Sequence, residues 1–316
     1  MPSLARYPRF WRALLFLQLF ATTAICLAHP GWGVVIDKKG NIYFGDVNRN
    51  IVWKIDARGS VHKFVSGKHS HILWIDDLGT VYGQHIEYDS RNSRWIYEYW
   101  KAASDGIVKE LQQTEVRRAF GFADGDGNTY LLDSDAHKRI SHIFKVSPRG
   151  DTSLFAGGEW GDRDGVGREA QFRAFGWGVR GTDGSLYVTS GGMVRKISPG
   201  GAVTTLAGRE QGFGDPDGEP RASSFLGIAR DGEGNIYAAN WEKRKVIRIS
   251  PRGEITTALD SGMLWAPSGV AVVGRDVYVL EHRAGVTGLL EKAGMGGPRI
   301  RKISADGNVK IVGTAP

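Results

Sequence analysis

The stretch "LEHRAG" brings together titratable side chains that could do acid–base chemistry. Glu281 and His282 are neighbours, and Arg283 follows them. A carboxylate beside an imidazole can supply a proton acceptor and a proton donor when burial moves their pKa values. The glycine-rich loop that follows could close over such a site as a lid. The alternative, which we favour, is that Glu281 is a structural residue that ties its own loop to the backbone.

Histidines in "HSH" suggest a second kind of chemistry. His69 and His71 lie two residues apart, His85 follows on the next predicted strand, and His282 lies far along the chain. Zinc needs three convergent imidazoles or a mixture of imidazoles and carboxylates. The spacing matches no recognised zinc pattern, so the histidines are better explained as solvated loop residues. No cofactor is therefore predicted, and a divalent cation such as calcium is the alternative.

A sixfold repeat of short strands must position these residues. Its units align on one tyrosine each, in runs such as "GNIYFGD" and "GNIYAAN"; the tyrosines are Tyr43, Tyr82, Tyr130, Tyr187, Tyr237 and Tyr278. An apolar run precedes each tyrosine run and two more follow it, with Gly, Pro, Asp and Asn between them. Four strands repeated every ~40 to 50 residues predict an all-β, six-bladed β-propeller of four-stranded antiparallel blades. A two-sheet sandwich is disfavoured because the six repeats are in phase.

The first and last units each contain all four of their strands. The ring should therefore close by packing blade six on blade one, without a swapped strand. The predicted blades span about 31–67, 69–113, 117–158, 174–208, 225–260 and 266–313. "DGDGN" (Asp124 to Asn128) hints at calcium, but it occupies a hairpin turn of this pattern and is interpreted as a turn.

The sequence "GIARDGEGNIYAANWEKRKVIRISPRGEITTAL" resembles NHL repeats, and so does "LAGREQGFGDPDGEPRASSFLGIA". The resemblance covers residues 31 to 313 and extends to the wider group of gluconolactonase-like (SMP-30) and strictosidine-synthase-like propellers. It implies a divalent cation held in the central channel by Glu, Asn and Asp, several of them at the starts of innermost strands. The matching pairs here read "WG", "FG", "WG", "LG" and "SG", so no carboxylate stands at those positions.

One face of the predicted propeller carries every long connection, and we call it the long-loop face. Loops on a rigid scaffold commonly carry function, so this face is predicted to be the functional one. Two rings of residues should surround the channel there. The ends of the second strands give Asp46, His85, Asp133, Ser190, Asn240 and Glu281, and the starts of the first strands give Trp32, His71, Phe120, Trp177, Leu226 and Ser268.

Ten residues of this face are predicted to bind a ligand: Trp32, Asp46, His71, His85, Phe120, Asp133, Trp177, Asn240, Glu281 and Arg283. The aromatic members suit a flat or apolar ligand, or a peptide side chain. They suit packing between blades equally well.

The first 28 residues have the order of a secretory signal. Arg6, Arg9 and Arg12 precede the uncharged run "ALLFLQLFATTAICLA", and small residues stand before a cut at His29. An uncleaved membrane anchor is the alternative, although the run is shorter than the ~20 residues that span a bilayer. Cleavage lowers the formal net charge from +7 to +4 and removes the single cysteine. The mature protein then has no disulfide, and its small net charge disfavours nucleic acid as a partner.

The sequence therefore predicts a secreted or periplasmic NHL-type propeller of residues 29–316. Two functions are compatible with it. The favoured function is a monomeric binding module that takes a small molecule, peptide, glycan or protein on its long-loop face, with no membrane contact after signal cleavage. The alternative is a hydrolase or lyase that uses rim carboxylates, with Glu281 and His282 as catalytic candidates.

Overall fold

Six antiparallel sheets form a ring in the computed structural model, which describes residues 31–89, 94–111, 121–135, 138–208, 225–284 and 296–316. Each sheet is built from strands that are consecutive in the chain. The prediction of a six-bladed β-propeller closed without a strand swap is thus confirmed. The predicted signal peptide (residues 1–28), His29 and Phe120 lie outside the described residues. Within the described part of the chain, no helix has the length and apolar character needed to cross a membrane.

The strands run from the channel outward in each blade. Blade one contains β1 (Val34–Ile36), β2 (Ile42–Asp46), β3 (Ile51–Ile55) and β4 (Val61–Ser66); blade two contains β5 (Ser70–Ile75), β6 (Val81–Asp89), β7 (Arg94–Ala102) and β8 (Val108–Glu110); blade three contains β9 (Phe122–Ala123), β10 (Thr129–Asp135), β11 (Ile140–Val146) and β12 (Thr152–Glu159).

The second half of the ring follows a short connecting segment. That segment contains β13 (Gly165–Val166) and a 3-10 helix (Gly167–Glu169). Blade four contains β14 (Phe175–Arg180), β15 (Leu186–Ser190), β16 (Met193–Ile197) and β17 (Ala202–Ala207); blade five contains β18 (Phe225–Arg230), β19 (Ile236–Asn240), β20 (Lys245–Ile249) and β21 (Ile255–Asp260); blade six contains β22 (Trp265–Val273), β23 (Asp276–Arg283), β24 (Arg299–Ile303) and β25 (Val309–Thr314). Strand β13 pairs with β17, so blade four has a fifth strand that the repeat does not predict.

The repeated tyrosine is fixed by the turn that precedes it. In blade one, Asp37 Oδ1 accepts hydrogen bonds from the backbone N–H groups of Lys39 and Asn41, and its Oδ2 accepts from the Tyr43 hydroxyl. The same arrangement recurs in "DGDGN" of blade three and "DGEGN" of blade five. An aspartate that accepts from its own turn is a common way to close a tight connection. The repeat therefore encodes hairpins, and the calcium-like "DGDGN" is a turn.

Neighbouring blades bury their apolar faces against each other. Tyr43 and Val52 of blade one pack with Leu73 and Trp100 of blade two, whereas Phe44 faces blade six. Similar clusters join blades three to four, four to five and five to six. Each fully buried side chain of this size contributes about 1.5 to 3 kcal/mol. This packing supplies the rigidity on which the rim residues are mounted.

Candidate functional site

The predicted polar ring at the ends of the second strands is largely buried. Asp46, Ser190, Asn240 and Glu281 are all buried, and each contacts a group of its own blade or of the segment leading into it. Ser190 donates from Oγ to the carbonyl oxygen of Arg173, and Asn240 Oδ1 accepts from the backbone N–H of Lys243. These contacts fix loops rather than present ligands to the channel.

Asp46 is held by three donors at the end of β2. Its Oδ2 accepts from Trp53 Nε1 at 3.0 Å, and its Oδ1 accepts from the backbone N–H of Arg49. The Arg49 guanidinium lies 3.4 Å from Asp46 Oδ2 and also donates to the carbonyl oxygen of Gly296. Asp46 thus fastens the turn between β2 and β3, and Arg49 joins blade one to the segment that precedes β24 in blade six.

Glu281 is an ion-pairing residue with no exposed side-chain surface. Arg299 Nε donates to Glu281 Oε2 at 2.6 Å, and Arg301 NH1 lies 3.4 Å from Oε1. Both arginines lie on β24, the neighbour of β23, and alternate residues of a strand share a face. Since both carboxylate oxygens face guanidinium groups, the geometry favours the structural interpretation of Glu281 over proton transfer.

Two predicted members of the ring are not at strand ends, which corrects the sequence interpretation. Strand β6 continues to Asp89, so His85 lies inside it, and β10 continues to Asp135, so Asp133 lies inside that strand. Asp133 is exposed and stands opposite His142. The second strands of blades two and three are longer than the common repeat length, so each strand extends beyond the residue that the repeat places at its end.

A cluster of imidazoles and one indole lies where blades one and two meet at the long-loop face. The Trp32 and His71 rings lie 5.0 Å apart, and His69 Nε2 lies 3.1 Å from His71 Nε2. The backbone positions these rings, because the N–H groups of Trp32 and Gly33 both donate to the His71 carbonyl oxygen. We call Trp32, His69 and His71 the indole–imidazole cluster. His71 is buried, whereas His69 and Trp32 are half-buried.

Two further contacts orient His69. Its Nδ1 lies 3.0 Å from Asn50 Oδ1, and its backbone N–H donates to His85 Nδ1 at 2.7 Å. An amide oxygen accepts hydrogen bonds, so His69 Nδ1 carries a proton and its Nε2 presents either a lone pair or a second proton to His71. The cluster therefore contains a pair of imidazoles whose ring nitrogens face each other at hydrogen-bonding distance.

His282 and Arg283 occupy separate surroundings on blade six. The buried His282 lies with Nε2 3.2 Å from the carbonyl oxygen of Gly31, and its ring centroid is 6.3 Å from that of Trp241. The Arg283 guanidinium stands 5.1 Å from the centroid of the Trp265 ring. His282 therefore helps to close blade six on blade one.

The innermost strands approach each other too closely for side chains at several glycines. A Cβ added to Gly33 would lie 2.5 Å from the backbone nitrogen of Leu73, and one added to Gly227 would lie 2.7 Å from Gly269 Cα. This requirement explains the glycine in the repeated "WG", "LG" and "SG" pairs. Leu226 and Ser268 are buried at these positions. Trp177 packs edge to face on Phe122 at 5.3 Å and between blades four and five, which favours its packing interpretation.

The rim residues do not fit a divalent cation. A hard cation needs several convergent oxygen ligands, but the oxygens of Asp46 and Glu281 already face nitrogen donors. No three His, Cys, Asp or Glu residues within the described ranges come together as a metal-binding group. His69 and His71 do come together, yet the third ligand of a zinc site is not found among the residues that the structure describes.

Sequence reasoning missed several partners that decide these roles. Arg299 and Arg301 could have been found, because their alternate spacing in "RIRKIS" places both on the face of β24 that Glu281 shares. The contact of Arg49 with Asp46 is also local, but its contact with Gly296 had no such signal, since the two residues are far apart in the chain. The contact between the His69 and His71 rings also depends on ring orientations, which the spacing of "HSH" does not specify.

Comparisons with known proteins agree at the level of the fold. No protein-family model matches the chain, and no curated protein matches it. Solved structures that resemble it include a calcium-binding protein, regucalcin, from Agrobacterium tumefaciens, with 13% identity over 90% of this chain and 91% of that one and a TM-score of 0.54. A gluconolactonase from Xanthomonas campestris has 13% identity over 81% and 84% of the two chains, with a TM-score of 0.52.

A third similar structure is virginiamycin B lyase from Staphylococcus aureus, with 14% identity over 89% and 83% of the chains and a TM-score of 0.47. The regucalcin and the gluconolactonase, with TM-scores above 0.5, share the propeller fold with this chain. Identities this low do not transfer the activity or the calcium site of any of these proteins, because function depends on the site rather than on the fold.

Proposed function

We propose that this propeller is an exported binding module that captures its ligand on the long-loop face, at the indole–imidazole cluster. The observation that carries the proposal is the contact of His71 with both the Trp32 ring and His69 Nε2, next to half-exposed surface. An indole beside an imidazole offers a flat apolar surface with hydrogen-bonding nitrogens at its edge. A planar group of a small molecule, glycan or peptide matches that surface.

The carboxylates of the same face support a binding role over a hydrolytic one. A carboxylate general base must reach the proton that it abstracts. Asp46 and Glu281 are buried, and their oxygens accept hydrogen bonds from Trp53, Arg49, Arg299 and Arg301. Trp32 and His69 are half-buried and retain surface that a ligand can contact, which suits recognition.

The binding proposal is tested with fragments and matched histidine variants. Purified protein of residues 29–316 is screened by ligand-observed NMR against planar aromatic fragments and simple glycosides, beside a double variant His69→Gln/His71→Gln. His62→Gln is the control, because His62 is exposed on the outer strand β4. We expect fragments that bind the wild type and the control and lose about tenfold or more in affinity in the double variant. Hits that all three proteins bind equally would refute the cluster as the site.

A hydrolase or lyase remains the second candidate, and one observation favours it. The fold resembles that of a gluconolactonase, and an imidazole pair is chemically competent for proton transfer because histidine titrates near neutral pH. Hydrolysis of glucono-δ-lactone and p-nitrophenyl acetate would test this function. Turnover above the buffer rate that disappears in the double variant would replace the binding proposal with an enzymatic one. A rate equal to that of buffer would support binding.

Export is a separate part of the proposal and has its own test. The basic, apolar and small-residue order of residues 1–28 supports it. Expression of the full chain in a bacterial host, followed by mass spectrometry of the periplasmic fraction, should give a protein that begins at His29. A full-length protein in the membrane fraction would instead support the anchor.

A further inference from the structure

A cavity of about 360 Å³ opens between blades five and six on the side opposite the long-loop face. Short turns surround it, because its wall includes residues 231–235, 274–275 and 304–307 of three tight connections. Its volume falls in the range of small-molecule sites. Ala258, Val277 and Ile303 line an apolar wall. Thr256, which stands opposite Arg248 on the neighbouring strand, and Ser304 add hydroxyl groups.

One residue of the cavity departs from the pattern of the repeat. In every blade, a cation on the third strand stands directly opposite the repeated tyrosine; the pairs are Tyr43 with Lys54, Tyr82 with Lys101, Tyr130 with Lys145, Tyr187 with Lys196, Tyr237 with Arg248, and Tyr278 with Lys302. Five of these cations are lysines. Blade five alone has an arginine, and this arginine lines the cavity.

Four of the five equivalent lysines make contacts within their own blades. The ammonium groups of Lys54 and Lys145 lie over their tyrosine rings, at 5.4 and 5.9 Å from the centroids. Lys196 and Lys302 make the same ring contact and also pair with an aspartate, Lys196 with Asp183 at 2.8 Å and Lys302 with Asp276 at 2.5 Å. This position is thus normally a closed structural contact between a cation and the tyrosine of its hairpin.

Arg248 lacks such contacts. Its Nε is buried and has no hydrogen-bond partner in the described chain, and neither an ion pair nor a ring contact is found for it there. The carboxylates that line the cavity, those of Asp231 and Glu233, are already engaged. Asp231 accepts from the backbone N–H of Glu233, from both nitrogens of Asn235 and from the Tyr237 hydroxyl. Glu233 pairs with Arg275 at 3.2 Å at the exposed mouth.

We propose that this cavity binds a small organic carboxylate through Arg248. A guanidinium presents a planar fork of N–H donors that matches the two oxygens of a carboxylate, which an ammonium group cannot do. The bound carboxylate would occupy the donors of Arg248 and accept from the hydroxyl group of Thr256, the residue opposite Arg248 on β21. Its short apolar body would contact Ala258, Val277 and Ile303. This site is separate from the indole–imidazole cluster and does not depend on the function proposed for it.

Calorimetry at low ionic strength with hexanoate and hexanamide tests the proposal. The two probes have the same apolar chain and differ in charge. We expect hexanoate to bind with one-to-one stoichiometry at millimolar concentrations or below, and hexanamide to bind at least about tenfold more weakly. Absence of one-to-one hexanoate binding, or equal affinities for the two probes, would overturn the proposal.

Three variants locate the binding site. Arg248→Lys restores the residue type of the other blades and keeps the positive charge. A loss of about tenfold in hexanoate affinity would therefore show that the guanidinium fork, rather than the charge, binds the carboxylate. Ala258→Phe fills the apolar end and should abolish binding. Lys196→Gln changes the equivalent position of blade four and should leave hexanoate binding unchanged. Unchanged binding in both Arg248→Lys and Ala258→Phe would overturn the proposal, and thermal melting of each variant reports whether it is folded.

Discussion

Glu281 and His71 both occupy the long-loop face, and both are titratable groups with little exposed surface, yet their surroundings differ. Glu281 has a guanidinium group at each oxygen, both supplied by the adjacent strand of its own blade. His71 contacts a residue of blade one, Trp32, and a half-exposed imidazole, His69. A titratable residue whose partners all come from its own sheet stabilises that sheet. One that faces accessible rings across a blade boundary is available for recognition.

The largest effect should follow from breaking the Glu281 ion pairs. Glu281→Gln leaves Arg299 and Arg301 beside a neutral amide in a buried place, and removal of one partner of a buried pair costs about 3 to 5 kcal/mol. Urea unfolding of the variant and the wild type measures this free energy. Asp133→Asn, on an exposed strand position, is the control and should change stability by less than about 0.5 kcal/mol. Equal stability of Glu281→Gln and wild type would show that Glu281 is free for chemistry.

The next largest effect concerns ring closure, because the packing of blade six on blade one holds the Trp32 side of the indole–imidazole cluster in place. A Cβ on Gly269 would overlap the Trp32 carbonyl oxygen and lie 3.0 Å from Val34 Cγ1. Gly269→Ala should therefore push blade six from blade one and cost about 1 to 3 kcal/mol. Gly125→Ala is the control, since a Cβ there meets no atom within 4 Å. A Gly269→Ala protein as stable as the control would contradict the closed packing of these strands.

The hydrogen bond from Trp53 allows the structural role of Asp46 to be tested without substituting Asp46 itself. Trp53→Phe keeps most of the ring but leaves Asp46 Oδ2 without the indole donor. A buried acceptor that loses its donor costs about 1 to 3 kcal/mol. Denaturant unfolding should show this loss, and fragment binding at the indole–imidazole cluster should be unchanged. A loss of binding with no loss of stability would reverse the roles assigned to Asp46 and the cluster.

The smallest effect should come from a carboxylate on the opposite, short-turn face. Burial raises the pKa of Asp183, but hydrogen bonds from Lys196 and Ser185 outweigh it and hold the pKa at about 2, below the ordinary 3.8. A lowered pKa stabilises the folded state above the unfolded value, so this contribution is complete above pH 3.8 and is lost as the pH falls toward 2. Because this ion pair is partly exposed, its contribution should stay below about 1 kcal/mol.

Acid titration followed by circular dichroism measures this contribution. The wild type should lose its stability advantage over Asp183→Asn across that interval of pH, and the two proteins should converge at its acidic end. A constant difference between them at all pH values would contradict the lowered pKa.

The fold could be predicted from the sequence because the repeated residues act through local interactions. The tyrosine at its fixed position, the turn aspartate before it and the glycine after Trp32 each act within a hairpin or at one close approach of strands. The candidate functional site was predicted less accurately from the sequence. The lengths of β6 and β10 depend on pairing between neighbouring strands, which is why His85 and Asp133 lie inside strands rather than at the predicted strand ends. Ring orientations at His69 and His71, and the contact of Arg49 with Gly296, depend on tertiary packing that spacing along the chain does not encode.

Calcium binding tests the central claim most directly, because a rim that holds a cation must use the carboxylates assigned here to structure. Purified protein of residues 29–316 is analysed for bound metal, and its thermal melting is recorded with added calcium and with a chelator. The account predicts no stoichiometric metal and the same melting temperature in both conditions, since arginine and tryptophan donors already engage Asp46 and Glu281. A stoichiometric cation whose removal lowers the melting temperature would contradict it and assign these carboxylates to a metal site.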